Sequence, residues 1–196
     1  THDDEELQLA RAWRAGGPAD RLLVIAPRHP ERGATIAAAL AAEGFEVRRR
    51  SRDEPPGATG SVYLADTLGE LGGLIAAADV VVMGGSLIAR GGQNVLEPAR
   101  AGRAIVTGPH MHNFADETER LAAAGALQQC PDAASIVAAV NDLLADPGAR
   151  AAAGEAGRAL LAAEADMAAR YRRALLEALP VLAPADAACP PDQGPS

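Results

Sequence analysis

Lysine is absent from this sequence of 196 residues: all eighteen basic residues are arginine, set against twenty-six acidic ones, for a formal net charge of −8. That surplus argues against a general nucleic-acid surface or an anionic membrane as the main partner, so any bound anion must be held by a local site. Aromatic residues are scarce, one Trp, two Tyr and two Phe, which leaves little for base stacking. Only two cysteines occur, Cys130 and Cys189, with no neighbours at metal-ligand spacing. A disulfide framework is excluded, and a reduced, cytosolic compartment fits better. No apolar run reaches the ~18 to 20 residues of a membrane span, and no signal-peptide pattern opens the chain. The first residue is Thr1 rather than Met. The sequence is therefore read as a piece of a longer polypeptide.

What is present is an alternation of two periods. Short apolar runs at 22–25, 62–64, 80–82 and 104–106 lack polar alternation, as strands covered on both faces do. Segments 45–48 and 126–129 read as shorter strands. Helix-length stretches lie between them, at 31–43, 68–77, 94–101, 114–124 and 133–145. The pattern βαβα predicts an α/β fold with a doubly wound, mostly parallel sheet. Length sets one domain over residues 1–180. Within it, residues 148–179 form a long helical segment with Gly154 and Gly157 as weak points. Residues 181–196, rich in Pro and Ala, read as a disordered tail. At the amino end, Thr1-His2-Asp3-Asp4-Glu5-Glu6 offers a possible N-cap and four carboxylates to a helix start, and it follows what reads as a strand that has been cut away.

Open parallel sheets bind ligands beyond the carboxyl ends of their strands, so the loops after the apolar runs carry the interest. After Ile25 comes Ala-Pro-Arg-His-Pro-Glu-Arg-Gly, where two prolines stiffen a loop that brings Arg28 and His29 to a helix start. That combination suits a phosphate or carboxylate, and equally a turn with solvated charges. After Val82 comes Met83-Gly84-Gly85-Ser86, then Arg90-Gly91-Gly92-Gln93 and the helix start Asn94-Val95-Leu96-Glu97-Pro98. The glycines let backbone approach a ligand closely. The segment matches neither a Walker loop nor G-x-G-x-x-G. Asn94 suits an N-cap, and Glu97 suits either a capping box or the vicinal hydroxyls of a ligand. The third loop, Gly108-Pro109-His110-Met111-His112-Asn113, again joins a strand to a helix. Two histidines at that spacing, with no third ligand, do not make a zinc site. Asn113 is a cap or a ligand donor.

Taken in order, T-H-x-x-E-E, P-R-H-P-E-R, V-Y-L-A-D-T-L-G-E-L, G-G-S-L-I-x-R-G-G-Q-N-V-L-E-P and T-G-P-H-M-x-N-F resemble the carboxyl-terminal half of the 3-deoxy-D-manno-octulosonic acid (Kdo) transferases, over residues 1 to about 115. The resemblance implies a Rossmann-like lobe of the two-lobed GT-B glycosyltransferase fold. It also implies transfer of Kdo from CMP-Kdo to a lipid A precursor in lipopolysaccharide assembly, with inversion and without cofactor or metal. The donor would be held by Thr1 and His2, by Arg28 and His29 at phosphate or carboxylate, and by Gly85, Ser86 and the helix start at Asn94 at phosphate. Glu97 would take the ribose hydroxyls, backbone of the Gly108-Pro109 turn or of the Pro27 loop the cytosine edge, and Asn113 the sugar. No catalytic residue is expected in this piece. The family's carboxylate base, the acceptor lobe and the membrane anchor precede Thr1, and Glu31, flanked by Arg28 and Arg32, makes a poor substitute base. The parent would act at the cytoplasmic face of the bacterial inner membrane, this piece being soluble. The alternatives are a GT-B lobe for a UDP-sugar and a non-catalytic nucleotide or phosphate-binding module.

Overall fold

The computed structural model describes residue 1, residues 4–57 and residues 61–178. It runs α1 (Glu5–Gly16), β1 (Leu23–Ile25), α2 (Gly33–Ala42), β2 (Val47–Arg49), β3 (Val62–Leu64), α3 (Leu71–Ala77), β4 (Val80–Met83), α4 (Leu96–Arg100), β5 (Ala104–Thr107), α5 (Ala115–Ala123), β6 (Leu127–Gln129), α6 (Ala133–Ala145) and α7 (Pro147–Ala178). Single 3-10 turns at Pro30–Arg32, Arg50–Arg52 and His112–Phe114 complete it. The expected α/β alternation is present, with every strand pair parallel and a long carboxyl-terminal helix. α2 to α5 begin one to three residues later than expected, and α6 has the expected bounds.

The expected single sheet is instead two three-stranded sheets, in the orders β1-β3-β2 and β4-β5-β6. Leu23 is in register with Val62 and Val47 also faces Val62, so β3 is the centre of the first sheet. Val80 pairs with Ala104 and Ile105 with Leu127, which makes β5 the centre of the second. The two central strands are the most deeply buried, every residue of each lying inside. One apolar cluster joins Leu9 and Ala10 of α1, Ile25, Leu40, Leu64 and Ile136 of α6. A second gathers Met83, Val95, Ala99, Ile105, Leu121 and Leu127.

Helix starts are made by aspartates: Asp132 accepts from the Ser135 N–H at 2.7 Å and Asp146 from the Ala149 N–H at 2.9 Å, opening α6 and α7. At α1 the expected cap does not form. Asp4 precedes the helix in a left-handed conformation (φ 64°) without a side-chain bond, and Thr1 Oγ1 donates to Glu6 instead. Gly154, read above as a weak point of a helix, is a packing position. A Cβ there would run into the Gly102 carbonyl, so only glycine lets α7 pass this close to the turn before β5.

Contacts divide the chain after Leu161. The later part of α7 presents Met167, Tyr171, Leu175 and Leu176 exposed. Among the described residues no helix is long and apolar enough to cross a membrane. The tail at 181–196 and His2 lie outside the described residues.

Candidate functional site

Because every strand is parallel, the loops after β1, β4 and β5 emerge on one edge, and the first two meet there. Thr1, Pro27, Arg28, Gly84, Asn94 and Glu97 line one groove of about 770 Å³. Arg28 is exposed, and among the described residues its guanidinium has no ion-pair partner. Its backbone N–H is fixed, donating to the Thr1 carbonyl at 3.1 Å. Glu97, half-buried, turns its side chain to the same groove from the second residue of α4. No capping box forms, since Glu97 makes no bond back to the Asn94 N–H. Asn94 closes its own turn instead, its Oδ1 accepting from the Leu96 N–H at 3.0 Å. An unpaired guanidinium and a carboxylate on one concave surface can hold, respectively, an anionic group and a pair of hydroxyls. His29 is exposed with Nδ1 3.4 Å from Glu31 and, unlike its neighbours Arg28 and Pro30, does not line the groove.

The glycine-rich loop does something other than the sequence suggests. The N–H groups of Gly85, Ser86 and Leu87 converge on the Glu5 carboxylate at 2.6, 3.0 and 3.0 Å. This backbone concavity, of the kind that takes anions, is filled by the chain's own carboxylate, itself 2% exposed. Ser86 is fully buried: its Oγ donates to the Met83 carbonyl and accepts from the Gly108 N–H at 2.8 Å. Gly85 and Ser86 therefore build the loop, and the phosphate role expected of them is corrected to a positioning one.

The loop after β5 is tied into the same unit. His110 N–H donates to the Ser86 carbonyl and Asn113 N–H to that of Gly91, at 2.9 and 3.0 Å. Asn113 Nδ2 donates to the Arg90 carbonyl at 3.1 Å, and α5 begins two residues later behind Phe114, so Asn113 does not cap that helix and keeps a second N–H to donate. The carbonyls of Gly108 and Pro109 both accept from Gln129 Nε2, at 3.2 and 3.4 Å. Each retains a second lone pair, although neither residue lines the groove.

Sequence reasoning missed the roles of Glu5 and Glu6, read as helix-dipole acids. Glu6 is as buried as Glu5 and holds Arg32 at 3.2 Å, fixing the loop after β1. Adjacent acids directly after a loop, in a chain with a Gly-Gly-Ser turn, were the only available signal. A second buried acid, Asp66, closes the carboxyl end of β3. It accepts from Arg49 at 2.7 Å and from the Ser51 N–H and Oγ at 2.9 and 2.8 Å. Burial pushes its pKa up, but the Ser51 bonds and the Arg49 guanidinium together outweigh burial and hold it below the ordinary carboxylate value. Among the described residues no three His, Cys, Asp or Glu side chains gather as a metal site would need.

No family model matches the chain. Among curated proteins it is 43% identical over 162 residues to the 3-deoxy-D-manno-octulosonic acid transferase of Bordetella pertussis, and 36% identical over 165 residues to that of Haemophilus influenzae. Each match covers 82% of this chain and 38% of the relative, so the chain spans well under half the length of these proteins. Among solved structures, the C-terminal CMP-Kdo binding domain of WaaA from Acinetobacter baumannii superposes with a TM-score of 0.77 at 32% identity. That match covers 82% of this chain and 85% of the domain.

Proposed function

The chain belongs to the 3-deoxy-D-manno-octulosonic acid transferase family, as its carboxyl-terminal domain, and from this we propose that it is the lobe that binds CMP-Kdo in a GT-B glycosyltransferase. The observation that carries the proposal is the shared groove of Arg28 and Glu97 at the carboxyl ends of β1 and β4. CMP-Kdo brings a phosphodiester and a sugar carboxylate, which Arg28, with the exposed His29 next to it in sequence, is suited to hold. Glu97 takes the ribose hydroxyls, and Thr1, Asn94 and the Pro27 backbone border the same space.

In transfer, the bond from the anomeric carbon to the phosphate oxygen breaks and its electron pair leaves on CMP. An acceptor hydroxyl attacks the opposite face, inverting the centre, and gives up its proton to a carboxylate of the acceptor lobe. Arg28 lowers the barrier by stabilising charge developing on the phosphate, a task that needs no metal. The acceptor is a lipid A precursor, and the whole enzyme works at the cytoplasmic face of the bacterial inner membrane. Titrating the chain with CMP, UMP and inorganic phosphate tests the donor assignment. Preference for CMP supports it, preference for UMP points to a UDP-sugar, and phosphate binding without base preference points to a non-catalytic module.

A further inference from the structure

The opposite edge of the second sheet carries a cavity in which the donor groove has no part. It measures about 440 Å³ and lies where the chain enters β4 and β5 and where α7 begins. Asp79 borders it directly ahead of β4, Arg103 and Ala104 where β5 begins, and Arg150, Ala151 and Arg158 from α7. Because the strands are parallel, this is the end away from Arg28 and Glu97. Three guanidiniums meet two carboxylates here, those of Asp79 and Glu155, in a chain whose acids outnumber its arginines by twenty-six to eighteen.

Each arginine is set by main-chain carbonyls at the carboxyl end of a different helix. Arg103 donates to the carbonyls of Ala76 and Ala78 at the end of α3, the latter at 3.1 Å. Arg150 donates to those of Leu143 and Leu144 at the end of α6, at 3.2 and 3.4 Å, and Arg158 to that of Ala101 just after α4, at 3.4 Å. Such capping accounts for an arginine at each helix end. It takes up only part of the five N–H donors that a guanidinium carries, and it leaves the charge in place. Neutralisation by acids is incomplete. Among the described residues no carboxylate comes within ion-pair distance of Arg103, and its buried Nε donates to nothing. Asp79 is shared, at 3.4 Å from Arg150 and 3.5 Å from Arg21, both beyond good hydrogen-bond length. Of the three, Arg158 has a close acid, Glu155 at 2.9 Å, one turn earlier on an exposed face of α7.

We propose that this cavity is a second anion site, apart from the donor groove, and that it takes a soluble phosphate ester or diphosphate. Guanidiniums match phosphate oxygens with paired N–H donors. Side chains already held on carbonyls lose little freedom when a ligand arrives. The volume falls within the range of small-molecule sites. Apart from Ala104, Pro147 and Ala151 the lining is charged or glycine, and none of the exposed large apolar side chains borders it, which fits a small hydrophilic ligand and not a lipid surface. The inference does not depend on which nucleotide sugar occupies the groove.

The test titrates inorganic phosphate and pyrophosphate into the Arg28→Gln chain at constant ionic strength and follows the arginine Nε–H resonances. Those of Arg103, Arg150 and Arg158 should shift together and saturate. Ala151→Glu adds an acid at an exposed position of the lining and should weaken pyrophosphate binding at least about tenfold. Glu155→Gln frees Arg158 and should tighten it by about threefold. Melting midpoints of both variants without ligand should match that of the unsubstituted chain, which separates binding from folding. Should Ala151→Glu lower the midpoint, the sign of the Glu155→Gln effect decides alone, and an unchanged or weaker affinity there overturns the proposal. It is also overturned if none of the three resonances saturates by about 10 mM pyrophosphate, if a folded Ala151→Glu chain binds as before, or if the Arg28→Gln change by itself abolishes phosphate binding. Sedimentation with phosphatidic acid vesicles separates the sources. Capture of the chain that Ala151→Glu abolishes would make the ligand a lipid headgroup and overturn the soluble assignment.

Discussion

The Ser86 N–H donates to Oε1 of Glu5 at 3.0 Å across 81 positions of sequence. With the Gly85 and Leu87 amides on the same carboxylate, the start of α1 becomes the anchor of the loop after β4. Glu5→Ala leaves three donors without their charged acceptor and should cost about 2 to 4 kcal/mol of stability. Glu5→Gln should cost less but still destabilise, since an amide cannot accept from all three at once. Urea unfolding of both variants measures this, and a change under about 0.5 kcal/mol in Glu5→Ala would contradict the anchoring role.

Glu97 and Arg28 should behave in the opposite way. Neither has a partner whose loss would unfold the domain, so Glu97→Gln and Arg28→Gln should leave the melting midpoint nearly unchanged. Each should weaken CMP binding by about 1 to 3 kcal/mol, the range for a lost charged hydrogen bond. Calorimetry decides, and inorganic phosphate should be affected by the Arg28 change alone.

Acid sensitivity should trace to Asp66. Its folded pKa lies below the unfolded value, so its contribution is present above about pH 4 and is lost as pH falls through the folded pKa. Asp66→Asn removes one partner of a buried pair with Arg49 and should cost about 3 to 5 kcal/mol at pH 7. The gap between parent and variant should narrow as pH drops below about 4. Denaturant midpoints from pH 7 to pH 3 test this, and a gap that stays constant would clear Asp66 of the effect.

The isolated chain should bind CMP-Kdo without transferring Kdo to a lipid A precursor. Two substrates held in line contribute several kcal/mol of barrier lowering, and this chain spans well under half the length of its relatives. A product assay comparing this chain with the two-lobed parent is the check. Transfer at a comparable rate would mean that the proton acceptor is on this chain.

The strands were legible because residues such as Val62, Leu64, Ile105 and Val106 are covered on both faces and leave an uninterrupted apolar signature. Arg28 and Glu97 were legible as loop residues directly after strands and keep their side chains toward the groove. Ser86 and Gly85 were misread because a glycine-rich turn looks the same in sequence whether its amides face a ligand or an internal carboxylate. Nothing local to residues 84–87 reports that Glu5 arrives from α1. The break between β1 and β4 was equally hidden, since strand order is a long-range property of pairing and not of either strand's composition.

The backbone bonds that run from Gly92 to Gly85, from His110 to Ser86 and from Asn113 to Gly91 knit two loops into one rigid floor. These loops stand behind the groove and not in its wall, so they brace Gly84 and Asn94, which do line it, from the far side. The loop after β1 is held at its two ends, by Thr1 on Ala26 and Arg28 and by Glu6 on Arg32, which leaves the Arg28 side chain between them as the part with freedom to move.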